Sequence, residues 1–336
     1  MTTVFRNAYF LIFVTVSVCA NAEKKLENRM NILKDKPVFS VSVENRGAIF
    51  EATINGVVIN SDYDGSDFSV DLPVNQFLTS GKNTIDLYSI LNIDNGRIVK
   101  DSSTIVTLKI RNKASNEDYN VASIVSSTKG YAINNPGLGS TSDVKLNSDR
   151  FFYPDDKGDV VIGKLSVLPM KNQINGLKYS MTIDMDIDIP RWRFLDGDSL
   201  TYVNDMTDQE YDSARKELVP IYQNIQKAIL NGNIERIMPL FKERNTELDA
   251  AFYLDPGSME KQLFNSLKKT SNDTGLEPAD IEEEFLGFRN GYSGQLSHLV
   301  QGSNHPAISF NFKDAMGSLS YDIWFRKEGD KWIISR

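Results

Sequence analysis

The sequence predicts an α+β multidomain protein, an all-β sandwich followed by a domain in which helices precede an antiparallel sheet. Three observations predict it. A length of 336 residues suits two domains at roughly 100–200 residues each. From Pro37 to Pro190, short alternating apolar runs are punctuated by turn residues about every 8–12 positions. Past Trp192 the apolar spacing becomes helical, and it returns to alternation only near the end. With 40% hydrophobic and 24% charged residues, the chain can bury real cores and is not a disordered acidic tail.

In MTTVFRNAYFLIFVTVSVCANAEKK, Arg6 precedes an uncharged run, Tyr9 to Ala20. Ala20-Asn21-Ala22 puts small residues where a signal peptidase reads them. Residues 1–22 are therefore expected to be a secretory signal peptide, cleaved after Ala22. The run is 12 residues, short of the roughly 20 that cross a bilayer, so no membrane span is expected. A lipoprotein is the other reading of Cys19, but Val18 is bulky where a small residue is needed. Cys19 is the only cysteine, so cleavage leaves no thiol. Disulfides, thiolate nucleophiles, Cys-ligated zinc and iron–sulfur clusters are then excluded. An exported chain without disulfides points to a bacterial periplasm or to secretion. A net charge of −8 with no Lys/Arg cluster argues against nucleic acid as a partner. Residues 23–36, EKKLENRMNILKDK, are a charged leader arm.

Residues 37–195 are expected to form the sandwich. VFSVSVENR, AIFEATINGVVIN, FSVDLPV, NTIDLYSIL and TIVTLKIRN alternate as strands do. Asn45-Arg46-Gly47, Asn55-Gly56, Asp64-Gly65, Ser80-Gly81 and Asn95-Gly96 turn the chain between them. Pro73 confines its run to a strand end or a sheet edge. Residues 112–150 are a Ser/Asn/Gly-rich loop region with one strand at Val121–Val125. DVVIGKLSVLPM and LKYSMTIDMDIDIP then return to strands, expected to complete the same sandwich. INGVVI followed by DLPVNQFLTSGKNTIDLYS resembles galactose-binding-like and immunoglobulin-like β-sandwich modules, with Gly81 turning the chain and Asn83 leading into the next strand. The resemblance covers about a fifth of the chain. It implies an accessory-type sandwich and does not imply that sugar is bound.

Residues 200–336 are expected to form the second domain. Thr207-Asp-Gln-Glu210 is a capping box. Tyr211, Ala214, Leu218, Tyr222, Ile225 and Ile229 follow at helical spacing, with Pro220 expected to kink or split the helix and Asn231-Gly232 to end it. Asn233 and Ser258 are expected to open two more helices. Strands are expected at Gln295–Gln301, Ala307–Lys313, Leu319–Lys327 and Lys331–Ser335. This order, with ILNGNIERIMPLF and YDIWFRKEGDKWIIS, resembles the nuclear-transport-factor-like (SnoaL-like) cone superfamily over about 130 residues. The resemblance implies a curved sheet and helices around a cavity. It leaves activity open, because that superfamily holds enzymes, ligand binders and adaptors.

His298, one of two histidines, shares a strand face with Leu296 and Val300 and is the candidate catalytic base, with no acid placeable beside it from sequence. The cone resemblance also brings Tyr222, Tyr253, Asp255 and Asp322 into consideration. Alternation with Tyr321, Ile323 and Phe325 is expected to put Asp322, Trp324 and Arg326 outside or at the rim. His305, before Pro306, is expected in a solvated turn. Asp62, Asp64 and Asp67, around Gly65, are the candidate metal ligands. Calcium is the candidate ion, although glycine and Pro73 fall at the wrong positions for an EF-hand. Asp184, Asp186 and Asp188 share one strand face but lie about 7 Å apart, too far to focus on one ion. Arg191, Trp192 and Arg193 are candidate interface residues, read either as domain glue or as a partner contact. Motifs for nucleotide binding, serine hydrolases and zinc proteases are absent.

The expected function is an exported, non-enzymatic two-domain protein binding an unknown protein or small ligand in the bacterial envelope, without a cofactor. The alternatives are an enzyme using the C-terminal cavity, with His298 or a buried Asp as general base, and a calcium-assisted or carbohydrate-binding module.

Overall fold

The computed structural model describes residues 36–91, 93–94, 97–98, 102–112, 118–127, 160–162, 166–169, 176–185, 189–302 and 305–336. The expected signal peptide, nearly all of the leader arm, most of the 112–150 loop region, Asp186 and Asp188 lie outside the described residues. The architecture is α+β, with antiparallel sheets throughout and the helices gathered in the C-terminal part.

Twelve strands come first: β1 (Pro37–Arg46), β2 (Ala48–Ile54), β3 (Val57–Asp62), β4 (Phe68–Pro73), β5 (Gly81–Leu91), β6 (Ile93–Asp94), β7 (Arg97–Ile98), β8 (Ser103–Asn112), β9 (Asp118–Ser127), β10 (Val160–Ile162), β11 (Ser166–Pro169) and β12 (Gly176–Met185). One sheet runs β4-β1-β8-β9 and a second β10-β12-β5-β2-β3, with β11 also on β12. Alternation decides what each buries. Phe39, Val41 and Val43 of β1 and Val106, Leu108 and Ile110 of β8 meet Phe50, Ala52 and Ile54 of β2 and Ile85 and Leu87 of β5 in one apolar core. Strand β12, from the late strand-forming run, joins β5 along its whole length, from Gly176 opposite Ile90 to Met185 opposite Gly81. Pro73 ends β4, at the edge of its sheet, where its missing N–H breaks no ladder.

The C-terminal part begins with α1 (Asp208–Leu230), α2 (Ile234–Ile237), a 3-10 turn at Met238–Phe241, α3 (Lys242–Ala251) and α4 (Ser258–Asn272). Strands β13 (Leu276–Pro278), β14 (Leu286–Gly291), β15 (Leu296–Gln301), β16 (His305–Pro306), β17 (Ile308–Phe312), β18 (Ser318–Tyr321), β19 (Phe325–Glu328) and β20 (Lys331–Ile334) follow. They form a β13-β17-β18 sheet and a β14-β15-β19-β20 sheet. The Thr207–Glu210 capping box is present in full at the start of α1. Leu218, Tyr222, Ile225 and Ile229 of α1 then pack on Phe288, Leu299, Phe310 and Phe325 in a second apolar core.

Two expectations are corrected here, and one helix is added to those expected. Helix α1 runs unbroken through Pro220. Pro220 and Lys216, whose carbonyl it cannot bond, both face solvent, where water takes the free carbonyl. Helix α3 was not legible, because KERNTELDAA has no apolar stripe. Its buried side is largely polar, with Asn245, Glu247 and Asp249. The run expected as one strand at Leu319–Lys327 is two, β18 and β19, in different sheets. Asp322–Trp324 forms the corner between them.

A third cluster sits where the two parts of the chain meet: Val57, Trp192, Phe194, Ala251, Tyr292, Leu296 and Trp324. Asn75 ties the parts directly, its amide donating to the carbonyls of Pro37 and Ala251.

Candidate functional site

The broken strand creates the site. Alternation is lost at Asp322–Trp324: Trp324 and Arg326, expected outside or at the rim, are buried at 2% and 6%, while Asp322 stays exposed. It stands on the wall of a cavity of about 200 Å³ lined also by Ile225 and Ile229 of α1, Phe241, Arg244 of α3, Leu263 and Leu267 of α4, and Ser320, Tyr321 and Ile323. As expected, Asp322 stands at the rim, with 44% of its side chain exposed.

His298 lies directly behind it. Its Nδ1 is 2.8 Å from Asp322 Oδ1, so the acid that sequence could not place beside His298 is there. The Trp324 indole donates to the other oxygen, Oδ2, at 2.8 Å. Trp324 also stacks on the imidazole, ring centroids 3.5 Å apart and planes 14° from parallel. At 5% exposure His298 is buried, and it is not part of the cavity lining. It supports Asp322 and does not itself face a bound molecule.

Desolvation by the surrounding protein pushes the Asp322 carboxyl up. The His298 imidazole, by charge and hydrogen bond, then the Trp324 N–H and the charge of Arg244, outweigh that and hold it below the usual carboxylate range. Asp322 is therefore a fixed anion at neutral pH. A general base works best with a pKa near the operating pH, so this environment suits holding a donor group better than taking a proton.

Arg244 is the residue that sequence missed. Nothing in KERNTELDAA distinguishes it from a solvated helix arginine, because its setting is made by α4 and the Asp322 corner, both distant in sequence. Burial and the nearby Arg336 lower its guanidinium to about 10, with Asp322 acting the other way.

The other candidates are dispersed. Asp62 organises its own loop: Oδ1 accepts from the N–H groups of Asp64 and Gly65, and Oδ2 from Ser66 N–H and the Asn45 amide. Among the described residues no group of three or more His, Cys, Asp or Glu could hold a metal ion, so Asp62, Asp64 and Asp67 do not gather into one. Asp184 is exposed. Tyr222 is buried in the core, its hydroxyl donating to Ile323 O and accepting from Leu299 N. Tyr253 donates to Pro37 O, and Asp255 and His305 are exposed.

Of the interface trio, Arg191 pairs with Asp196 in the open, and Trp192 is 1% exposed with its indole donating to Leu78 O. Arg193 gives its backbone N–H to Glu247 and its guanidinium to Glu243. Arg336 lies over Trp192 and Phe194, 5.0 and 4.6 Å from their ring centroids, and donates to Glu247 at 2.5 Å.

Comparison of this chain with protein-family models, curated proteins and solved structures finds no match to it.

Proposed function

We propose that this chain is an exported bacterial binding protein that holds a small ligand in the cavity between α1, α3, α4 and the Asp322 corner. In this reading residues 1–22 are removed on export to the periplasm or beyond. Residues 37–195 form a β-sandwich domain and residues 200–336 a cone-like domain. One observation carries the binding role: an apolar recess with a carboxylate that His298 and Trp324 hold ionised and aimed. Ligand sites are mostly apolar with a few fixed polar groups, and this recess has that make-up on a small scale.

The test is co-purification. The mature chain, residues 23–336, would be isolated from the periplasm of a bacterial host and its small-molecule extract compared with that of Leu267→Trp, which fills the recess. A compound near one per chain, lost in the variant, supports the reading. No such compound, with no library molecule raising the melting temperature, defeats it. N-terminal sequencing of the exported chain checks the cleavage, which should expose Glu23.

The His298–Asp322 contact favours a second reading, an enzyme in which Asp322 is the general base and His298 and Trp324 position it. The lowered Asp322 pKa weighs against it. Turnover of a co-purified compound, abolished in Asp322→Asn, would establish it.

A further inference from the structure

The cavity holds a cation without a counter-ion. Among the described residues the two most buried arginines, Arg326 and Arg336, each grip a glutamate, Glu243 at 2.7 Å and Glu247 at 2.5 Å. Arg244 has no such partner. It makes no ion pair among the described residues, and its hydrogen bond is to the side-chain oxygen of Asn245. That engages one of the five N–H donors of a guanidinium. Six of the lining residues, Ile225, Ile229, Phe241, Leu263, Leu267 and Ile323, are apolar, and the hydroxyls of Ser320 and Tyr321, also in the lining, make no hydrogen bond to Arg244 among the described residues. A charge set against apolar walls is costly unless something pairs it.

Asp322 lines the same cavity without coming within ion-pair distance of Arg244. Each of its oxygens accepts one hydrogen bond from behind, from His298 and Trp324, which leaves lone pairs for a donor in the cavity. A positive and a negative anchor, both fixed and not touching, therefore share a recess of about 200 Å³. At about 30 Å³ per water in the liquid, that is room for roughly seven to ten non-hydrogen atoms. Asp322 repels a doubly charged head such as a phosphate monoester about twice as strongly as a singly charged one at the same distance, which favours a small, singly charged anion.

We propose that the cavity binds a small amphipathic carboxylate, its head on Arg244, its apolar body against Leu263, Leu267 and Ile225, and an O–H or N–H donor presented to Asp322. This rests on the binding role proposed above and gives that site its ligand class.

Titration calorimetry on residues 23–336 with four probes of one chain length tests it: hexanoate, 6-hydroxyhexanoate, hexan-1-ol and hexylamine. Hexanoate should bind about ten- to a hundredfold more tightly than hexanol, the span expected for a hydrogen bond to a charged group. The hydroxyl of 6-hydroxyhexanoate should tighten binding further. Arg244→Met should bring hexanoate down to the level of hexanol and leave hexanol unchanged. Arg244→Lys, which keeps the charge and loses the planar fork, should fall between. Should Arg244→Met fail to fold, the hexanoate-to-hexanol ratio in the unaltered protein still decides. Hexanol or hexylamine binding as tightly as hexanoate overturns the carboxylate inference and leaves the binding role standing. If none of the four binds at millimolar concentration, the carboxylate inference falls, and the co-purification test decides the binding role separately.

Discussion

Arg336→Met removes a charge from the seam between the two parts of the chain while keeping an unbranched apolar stem. Arg336 and Glu247 are each 2% exposed in their side chains, so neither charge is screened by water. Losing Arg336 leaves Glu247, among the described residues, with only the Arg193 N–H, and takes the cation from over Trp192 and Phe194. Breaking a buried ion pair from one side costs about 3–5 kcal/mol, largely because the remaining charge stays buried and unpaired. A Met in the same place retains some packing on the rings, so the expected loss is about 3 kcal/mol, the lower end of that range. Urea unfolding followed by tryptophan fluorescence measures it, since Trp192 sits at the seam. The double variant Arg336→Met/Glu247→Gln should recover part of the loss, with a coupling of at least about 1 kcal/mol. If the single variant loses less than about 1 kcal/mol, or the double variant loses the sum of the singles, the seam does not depend on this pair.

Three further outcomes are expected. Asp249 accepts from Gly257 and Met259 N–H and so caps α4 from a distance, and Asp249→Ala should cost about 1–2 kcal/mol in the same unfolding assay. Gly294 has φ +90°, and a Cβ there would sit 1.9 Å from Leu200 O. Gly294→Ala should therefore lower stability by well over about 1 kcal/mol, seen as a fall in melting temperature. Asp322 has its carboxyl held below the ordinary value of 3.8, so its folded form binds a proton less readily than its unfolded form. That part of the stability is present above the unfolded value and is lost as the pH falls through the folded one. Urea midpoints taken from about pH 6 down to pH 3 should fall less steeply in Asp322→Asn than in the unaltered protein.

Much of the fold was legible because its signals are local. The alternation in VFSVSVENR and AIFEATI sets which side chains of β1 and β2 face the first core, and the Thr207–Glu210 box sets the start of α1. The misses share a cause. Helix α3 buries Glu247 and Asp249 for partners far away in sequence, Arg336 and the start of α4, so no local period reveals it. The corner at Asp322–Trp324 continues an alternating pattern that the tertiary structure breaks. Strand logic consequently put Trp324 and Arg326 outside with Asp322, whereas only Asp322 is exposed. His298 was recognisable as a candidate. Its partner was not, since the two are 24 residues apart and meet only because β15 and β19 lie side by side. Arg244 gave no sign at all, because a lone cation is defined by the absence of neighbours, and a sequence does not show absences of that kind.

Trp324 belongs to two places at once. One indole braces His298 and Asp322 behind the cavity and fills the apolar seam between the two parts of the chain, while its backbone pairs with Arg336. The recess and the seam are thus linked through one ring, which touches Asp322 from behind the recess. Any movement of the seam that turns this ring also changes the carboxylate a ligand would meet. By thermodynamic reciprocity, a molecule that favours one setting of the ring must favour the matching setting of the seam to the same degree.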